Sequence, residues 1–136
     1  MTEAGMRELV LRAYAARDAG HTNDLMSAFH DQAVFRFAAN KQALAVADAA
    51  EGHAGIRNTM EGLIGAFGFA DREVIGMYFG GDRVAVHSRL KVTFIPKNTT
   101  FVTEIMDLFR FQDGKIIELV EFADTALIDK ILSGQI

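Results

Sequence analysis

Cysteine and tryptophan are both absent from this chain of 136 residues, and proline occurs once. Without cysteine there is no disulfide, no thiolate zinc site and no thiol nucleophile. No long basic run is present, and the formal net charge is −4. Nucleic acid and anionic membrane surfaces select for concentrated positive charge, so neither is an expected partner. No apolar run approaches the roughly 20 residues that a membrane-crossing helix requires. The opening MTEAGMRELV lacks the long apolar core of a secretory leader. A cytoplasmic protein is expected. The four histidines, His21, His30, His53 and His87, show no H-x-x-x-H or comparable spacing, so no metal centre is expected. Gly80-Gly81-Asp82 is followed by neither Lys-Ser/Thr nor a helix and reads as a turn, not a phosphate loop. No cofactor is expected.

What is present is a globular composition, 50% hydrophobic and 24% charged, enough for one core; residues 1–136 are expected to form a single domain. Met6, Leu9, Val10, Ala13 and Tyr14 recur with helical spacing, and Gly20 is placed to stop that helix. Thr22 or Asn23 can cap a short second helix carrying Leu25, Met26 and Phe29, with His30 in the turn after it. AVFRFAA alternates as a short strand. NKQALAVADAAEGHAG reads equally as a helix or as a loop over a cavity mouth. Ile56, Met60, Leu63, Ile64 and Phe67 give an amphipathic helix with His53 near its start, solvated or capping; Gly62 and Gly65 within it offer close packing against a sheet.

From Arg72 onward strands and turns follow. REVIGMYF meets RVAVHSRLKVTFI across Gly80-Gly81-Asp82, with His87 and Arg89 on its outward face. FVTEIMDLFRF meets KIIELVEFA across Asp113-Gly114, and Asp124 or Thr125 can cap a last helix with Leu127, Ile128, Ile131 and Leu132 on its apolar face. Helices followed by antiparallel strands imply an α+β fold, with the helices packed on one face of the sheet.

The last hairpin carries two carboxylates in apolar runs, Asp107 and Glu121. A three-residue loop, pairing Phe111 with Lys115, places Ile105, Asp107, Phe109 and Phe111 on one face with Ile117, Leu119, Glu121 and Ala123. A two-residue loop would split the carboxylates between faces, so the three-residue register is expected. Two carboxyls in one apolar pocket cannot both ionise cheaply. Asp107 is expected to be the neutral acid and Glu121 to carry any charge. Met106, Leu108, Val120 and Phe122 fall on the opposite face, where an apolar patch implies a partner, expected to be a second copy.

LRAYAARDAGHTNDLMSAFHDQAVFRF, EGHAGIRNTMEGL and MDLFRFQDGKIIELVEFAD, in that order, resemble the nuclear transport factor 2-like superfamily, with its ketosteroid isomerases and SnoaL-like cyclases. The resemblance covers nearly the whole chain. It implies a curved antiparallel sheet with N-terminal helices on its concave face, a conical and mostly apolar pocket, and a homodimer. Asp107 matches the isomerase acid that precedes the equivalent FRF. The isomerase general base would fall near Phe37, where no carboxylate stands. The isomerase tyrosine would fall at Ala13, one residue before Tyr14, which is then expected to point elsewhere. In the cyclase pattern Asp107 takes the place of a histidine and Glu121 matches the acid. The arginine of the Arg-x-Asp arrangement in epoxide hydrolases of this fold is replaced by Ile105.

The expected site therefore has Asp107 and Glu121 as catalytic carboxyls, with Tyr14, Phe35, Phe37, Ile105, Phe109 and Leu119 against the substrate. The ligand is expected to be small and apolar, and the chemistry that of a cofactor-independent isomerase, cyclase or hydrolase acting on a carbonyl compound. A non-catalytic binding protein or a dimerising interaction module on the same fold are the alternatives.

Overall fold

The computed structural model describes residues 1–40, 42 and 48–136. The Thr2 hydroxyl accepts from the Gly5 N–H at 3.0 Å and opens α1 (Glu3–Ala19); Gly20, in the left-handed region at φ 75°, closes it. The second helix, α2 (Thr22–Met26), is capped by His21 without a side-chain bond, not by Thr22 or Asn23. Strand β1 (Phe29–Phe37) begins at once, so His30 sits in a strand and not in a turn. After the short β2 (Ala50–Glu51) comes α3 (Gly52–Ala66), which ends one residue before Phe67. Of the stretch expected to be a helix or a loop, residues 41 and 43–47 lie outside the described residues, while Ala50–Glu51 form β2 and α3 begins at Gly52. Strands β3 (Phe67–Gly80), β4 (Arg83–Phe94), β5 (Thr99–Gln112) and β6 (Lys115–Phe122) follow, then α4 (Thr125–Leu132), capped by the Asp124 carboxylate.

The six strands form one curved, unclosed sheet in the order β2-β1-β6-β5-β4-β3. All neighbours are antiparallel, as expected, except β1 and β6, which run parallel. Met6, Leu9, Val10 and Ala13 of α1 share a core with Val84, Val86, Phe109, Phe111 and Ile116 of the sheet. The glycines of α3 do not serve close packing: nothing lies within 4 Å of a Cβ placed at Gly62 or Gly65. On the outer face Phe122 is 47% exposed, but Val120 is buried and adds nothing to an apolar patch.

The final hairpin corrects the expected register while keeping its consequence. Asp113 and Gly114 both have positive φ, 55° and 73°, so the turn is a two-residue one of the primed kind that suits Asp-Gly. Gln112 pairs with Lys115 and Phe111 with Ile116, but Arg110 pairs with Glu118. One extra residue in β6 makes a bulge there, with Ile116 and Ile117 both buried in succession. The bulge restores the parity that the shorter turn removes. Asp107 and Glu121 therefore share the inner face, as direct partners across the pair.

A second bulge re-aims β3. Ala70 pairs with Lys91 and Glu73 with Arg89, so β3 carries one residue more than β4 between these points. Asp71 absorbs it at φ 53°, a costly conformation for a residue with a Cβ. Phe67 and Phe69 face inward before the bulge; Arg72 and Val74 face inward after it.

Side-chain parity along β5 sets the energetic weights. Phe109 is 1% exposed, edge-on to the Tyr14 ring with centroids 5.8 Å apart, whereas Val102 on the other face is 66% exposed. Phe109→Ala should cost about 3–5 kcal/mol and Val102→Ala about 0.5 kcal/mol or less. Urea denaturation of the two variants checks this; equal losses would refute the burial pattern.

Candidate functional site

Helices α1–α4 and the concave face of the sheet enclose a cavity open at one end, leaving ≈ 100 Å³ for the centre of a water-sized molecule to move in. A single water needs about 10–15 Å³ of such space, so the cavity accommodates a small organic molecule. All eight residues expected at the site, Tyr14, Phe35, Phe37, Ile105, Asp107, Phe109, Leu119 and Glu121, lie on its wall. Phe111, on the same face of β5, belongs to the core and not to the wall.

Alternation brings the carboxyls in. Ile105, Asp107 and Phe109 face inward from β5, Leu119 and Glu121 from β6. Asp107 is 2% exposed and, with Ser88, is one of two buried polar side chains among the described residues. Its Oδ2 accepts a hydrogen bond from the Tyr14 hydroxyl at 2.6 Å. The expectation that Tyr14 points elsewhere is therefore wrong: one helical residue past Ala13 still reaches the carboxyl, and Ala13 and Tyr14 both line the cavity. Burial, and then the Asp107 charge, push the Tyr14 hydroxyl far above the usual phenol range, so it remains a donor.

Tyr14 is held from its other side. The Arg72 guanidinium lies 3.8 Å from the centre of the Tyr14 ring. It donates to both carboxylate oxygens of Asp18 at 2.8 and 2.9 Å and to the Ser88 hydroxyl at 3.3 Å. This two-pronged pair spends the Arg72 charge on Asp18 and fixes the plane that supports Tyr14. Neither Asp18 nor Arg72 was expected at the site. The signal for Arg72 is hidden because strict alternation from Phe69 would point Asp71 inward; only the bulge brings Arg72 there.

The groups around the pair favour the opposite partition of the proton to the expected one. Asp107 Oδ1 has no donor from any other group among the described residues. Glu121, opposite it in the pairing, supplies one when protonated. Burial, then the Asp107 charge and a hydrogen bond to it, raise Glu121 well above the ordinary carboxyl range. Burial raises Asp107 too, but Tyr14, Glu121 and Arg72 all favour its charged form. The donors around the pair therefore favour Glu121 as the neutral acid and Asp107 as the acceptor, with one proton shared between them. Sequence could place the carboxyls together but not reveal the Tyr14 donor, and that donor decides the assignment.

Arg17 is the second cation on the wall. Its guanidinium lies 3.8 Å from the centre of the Phe69 ring and donates to the carbonyls of Phe67 at 2.9 Å and Leu63 at 3.5 Å. Burial lowers its pKa to about 10, which leaves it cationic at neutral pH.

The histidines stand apart from this wall. His87 pairs with Glu104 at 2.6 Å on the outer face, and His30 with Asp113 at 3.3 Å. His53 is neither solvated nor a cap: its Nε2 donates to the Met26 carbonyl at 2.9 Å. Among the described residues no group of three or more His, Asp or Glu side chains is placed to hold a metal, and no helix is long and apolar enough to cross a membrane.

Comparison with known proteins matches residues 10–119 to the SnoaL-like domain. No curated protein matches the sequence. Among solved structures, a protein of unknown function from Burkholderia pseudomallei, described as NTF2-like, superposes with a TM-score of 0.81 at 14% identity, covering 98% of this chain and 99% of that one. TerC, co-crystallised with polyporic acid, gives 0.79 at 19% identity over 95% and 98%. A protein with a ketosteroid isomerase-like fold from Catenulispora acidiphila, in complex with trimethylamine, gives 0.70 at 16% identity over 84% and 83%.

The carboxyl assignment has a pH signature. Glu121 has a raised folded pKa, so its contribution to stability is complete below the ordinary carboxyl value of about 4 and declines as pH rises toward the folded value. The slope reaches at most about 1.4 kcal/mol per pH unit for one proton. Glu121→Gln should gain stability relative to the parent between acid and neutral pH, with parallel profiles arguing against the assignment. Carboxyl carbon shifts in NMR at neutral pH should report Glu121 as the acid and Asp107 as the carboxylate.

Proposed function

Because the chain belongs to the SnoaL-like domain family, we propose that it binds a small, mostly apolar carbonyl compound in this cavity and moves a proton on it without a cofactor. The observation that carries the reading is Glu121: a carboxyl with a raised pKa, facing an apolar cavity and backed by a second carboxyl. Solved structures of the same fold were obtained with polyporic acid or trimethylamine, which supports a small-molecule ligand for this chain.

Glu121 faces the ligand; Asp107, beside it on the wall, keeps its Oδ1 out of contact with accessible space. A proton leaving carbon next to the ligand carbonyl goes to the free oxygen of Glu121. The proton already on Glu121 moves to Asp107 Oδ1, and the bonding electrons stay on the ligand as an enolate. Reversing the relay returns a proton to the same or another carbon, which is an isomerisation, or the enolate attacks a second carbonyl carbon, which is a ring closure. Tyr14 positions Asp107 throughout, and Arg72 with Asp18 positions Tyr14. A base whose pKa is raised toward the working pH is the stronger for it.

Incubating a panel of cyclic and aryl ketones with the protein in deuterium oxide tests this without knowledge of the substrate. Proton NMR should show hydrogen–deuterium exchange beside the carbonyl, accelerated for at least one panel member. Glu121→Gln should lower that rate by about 10²–10⁴-fold. Ketones that bind but do not exchange would support the non-catalytic binding reading instead.

The same proposal includes assembly as a homodimer through the outer sheet face, where Phe122 and Val102 are exposed and Met106 and Leu108 half-buried. Sedimentation at micromolar concentration should give twice the chain mass, and Phe122→Asp should return it to the monomer. A monomeric parent protein would remove this part of the proposal and leave the cavity chemistry standing.

A further inference from the structure

The charges on the cavity wall do not all find partners. Arg72 is neutralised by Asp18, and Asp124 spends a carboxylate oxygen on the Leu127 N–H at the start of α4. Asp107 and Glu121 hold one negative charge between them. Arg17 has no carboxylate within 4.0 Å among the described residues. Only its Nη2 is engaged, on the Phe67 and Leu63 carbonyls. The N–H groups on Nε and Nη1 have no acceptor, and neither atom is sealed from accessible space, because Asp107 Oδ1 is the sole sealed, unpartnered side-chain atom among the described residues. The stack on Phe69 fixes the guanidinium plane, and α1 fixes its root.

A half-buried guanidinium with unspent N–H groups at a cavity wall is a receptor for an anion, because a charge-assisted N–H bond to a carboxylate oxygen is stronger than one between neutral groups. We propose that Arg17 binds the carboxylate of a small apolar keto acid, and so sets which end of the ligand meets Glu121. This rests on the proton-transfer reading of the cavity and adds a substrate class to it. The apolar body lies against Phe35, Phe37 and Phe69, and the carboxylate against Arg17. The carbon that gives up its proton then lies between that anchor and Glu121, the guanidinium and the carboxyl being close enough to act on each other's titration. Arg17 also stabilises the negative charge that develops on the ligand when the proton leaves.

Matched ligands test the anchor separately from the chemistry. Calorimetric titration at neutral pH with benzoate against benzamide, and cinnamate against cinnamamide, changes the charge while nearly keeping the shape. Each acid should bind at least tenfold more tightly than its amide. Arg17→Met should abolish that preference while leaving the amide affinity within about twofold, and Glu121→Gln should retain it. Equal affinity of acid and amide for the parent protein overturns the anchor while the exchange experiment still stands. That comparison needs no variant, so it decides the matter even where Arg17→Met fails to fold. Absence of binding by all four compounds overturns the anchor and the cavity reading together.

Discussion

Two carboxyls face each other across one pair of strands, in a wall made otherwise almost wholly of hydrocarbon. Like charges at directly paired positions repel, and an isolated charge away from water is costlier still. The structure meets both demands by sharing one proton over the pair and directing a phenol at the member that stays charged. Everything farther out follows from that phenol. Tyr14 needs a fixed ring, the ring is held by the Arg72 guanidinium, and that guanidinium is fixed by Asp18 and Ser88. The chain of contacts runs from the first helix across β3 and β4 to β5, so the site joins elements far apart in sequence.

The layout also separates rigidity from reactivity. Asp107, Tyr14, Arg72 and Asp18 are bonded to one another. Glu121 and Arg17 keep unspent polar groups on the cavity side. Buried polar networks that are nearly complete stiffen a core, whereas the groups left incomplete are the ones that can respond to a ligand. The members of this wall that can change partners are few, and they sit side by side.

Much of this was legible in the sequence, for identifiable reasons. Helical spacing from Met6 to Tyr14 and the amphipathic run after Gly52 found the helices because each buries one face only. Alternation along FVTEIMDLFRF found the inner face of β5, and with it Asp107 and Phe109. The hairpin loop was misjudged because periodicity reports which face a residue takes, not how many residues oppose one another. A longer loop and a shorter loop with a bulge produce the same faces. Arg17 and Arg72 stayed hidden for different reasons. Arg17 looks like the solvated end of a helix until Phe69 is seen beneath it, and Arg72 lies just past a residue whose left-handed backbone breaks the alternation. The Tyr14–Asp107 bond spans 93 residues, and no local pattern announces a contact of that range.

The Asp71 bulge has a meaning for how related chains should be lined up. Side chains in a strand change face with each residue, so removing one residue here would leave Phe69 inward and turn the next inward position over to whatever follows it by two. The distance in sequence between the phenylalanine beneath Arg17 and the arginine beside Tyr14 is therefore diagnostic: three residues in this chain, against two for an unbroken strand. An aligner that treats a gap at this point as neutral loop variation would merge two different cavities. Relatives grouped by that spacing, instead of by overall identity, would separate those built to hold a tyrosine–carboxyl pair from inside the sheet from those that leave the position to another chemistry.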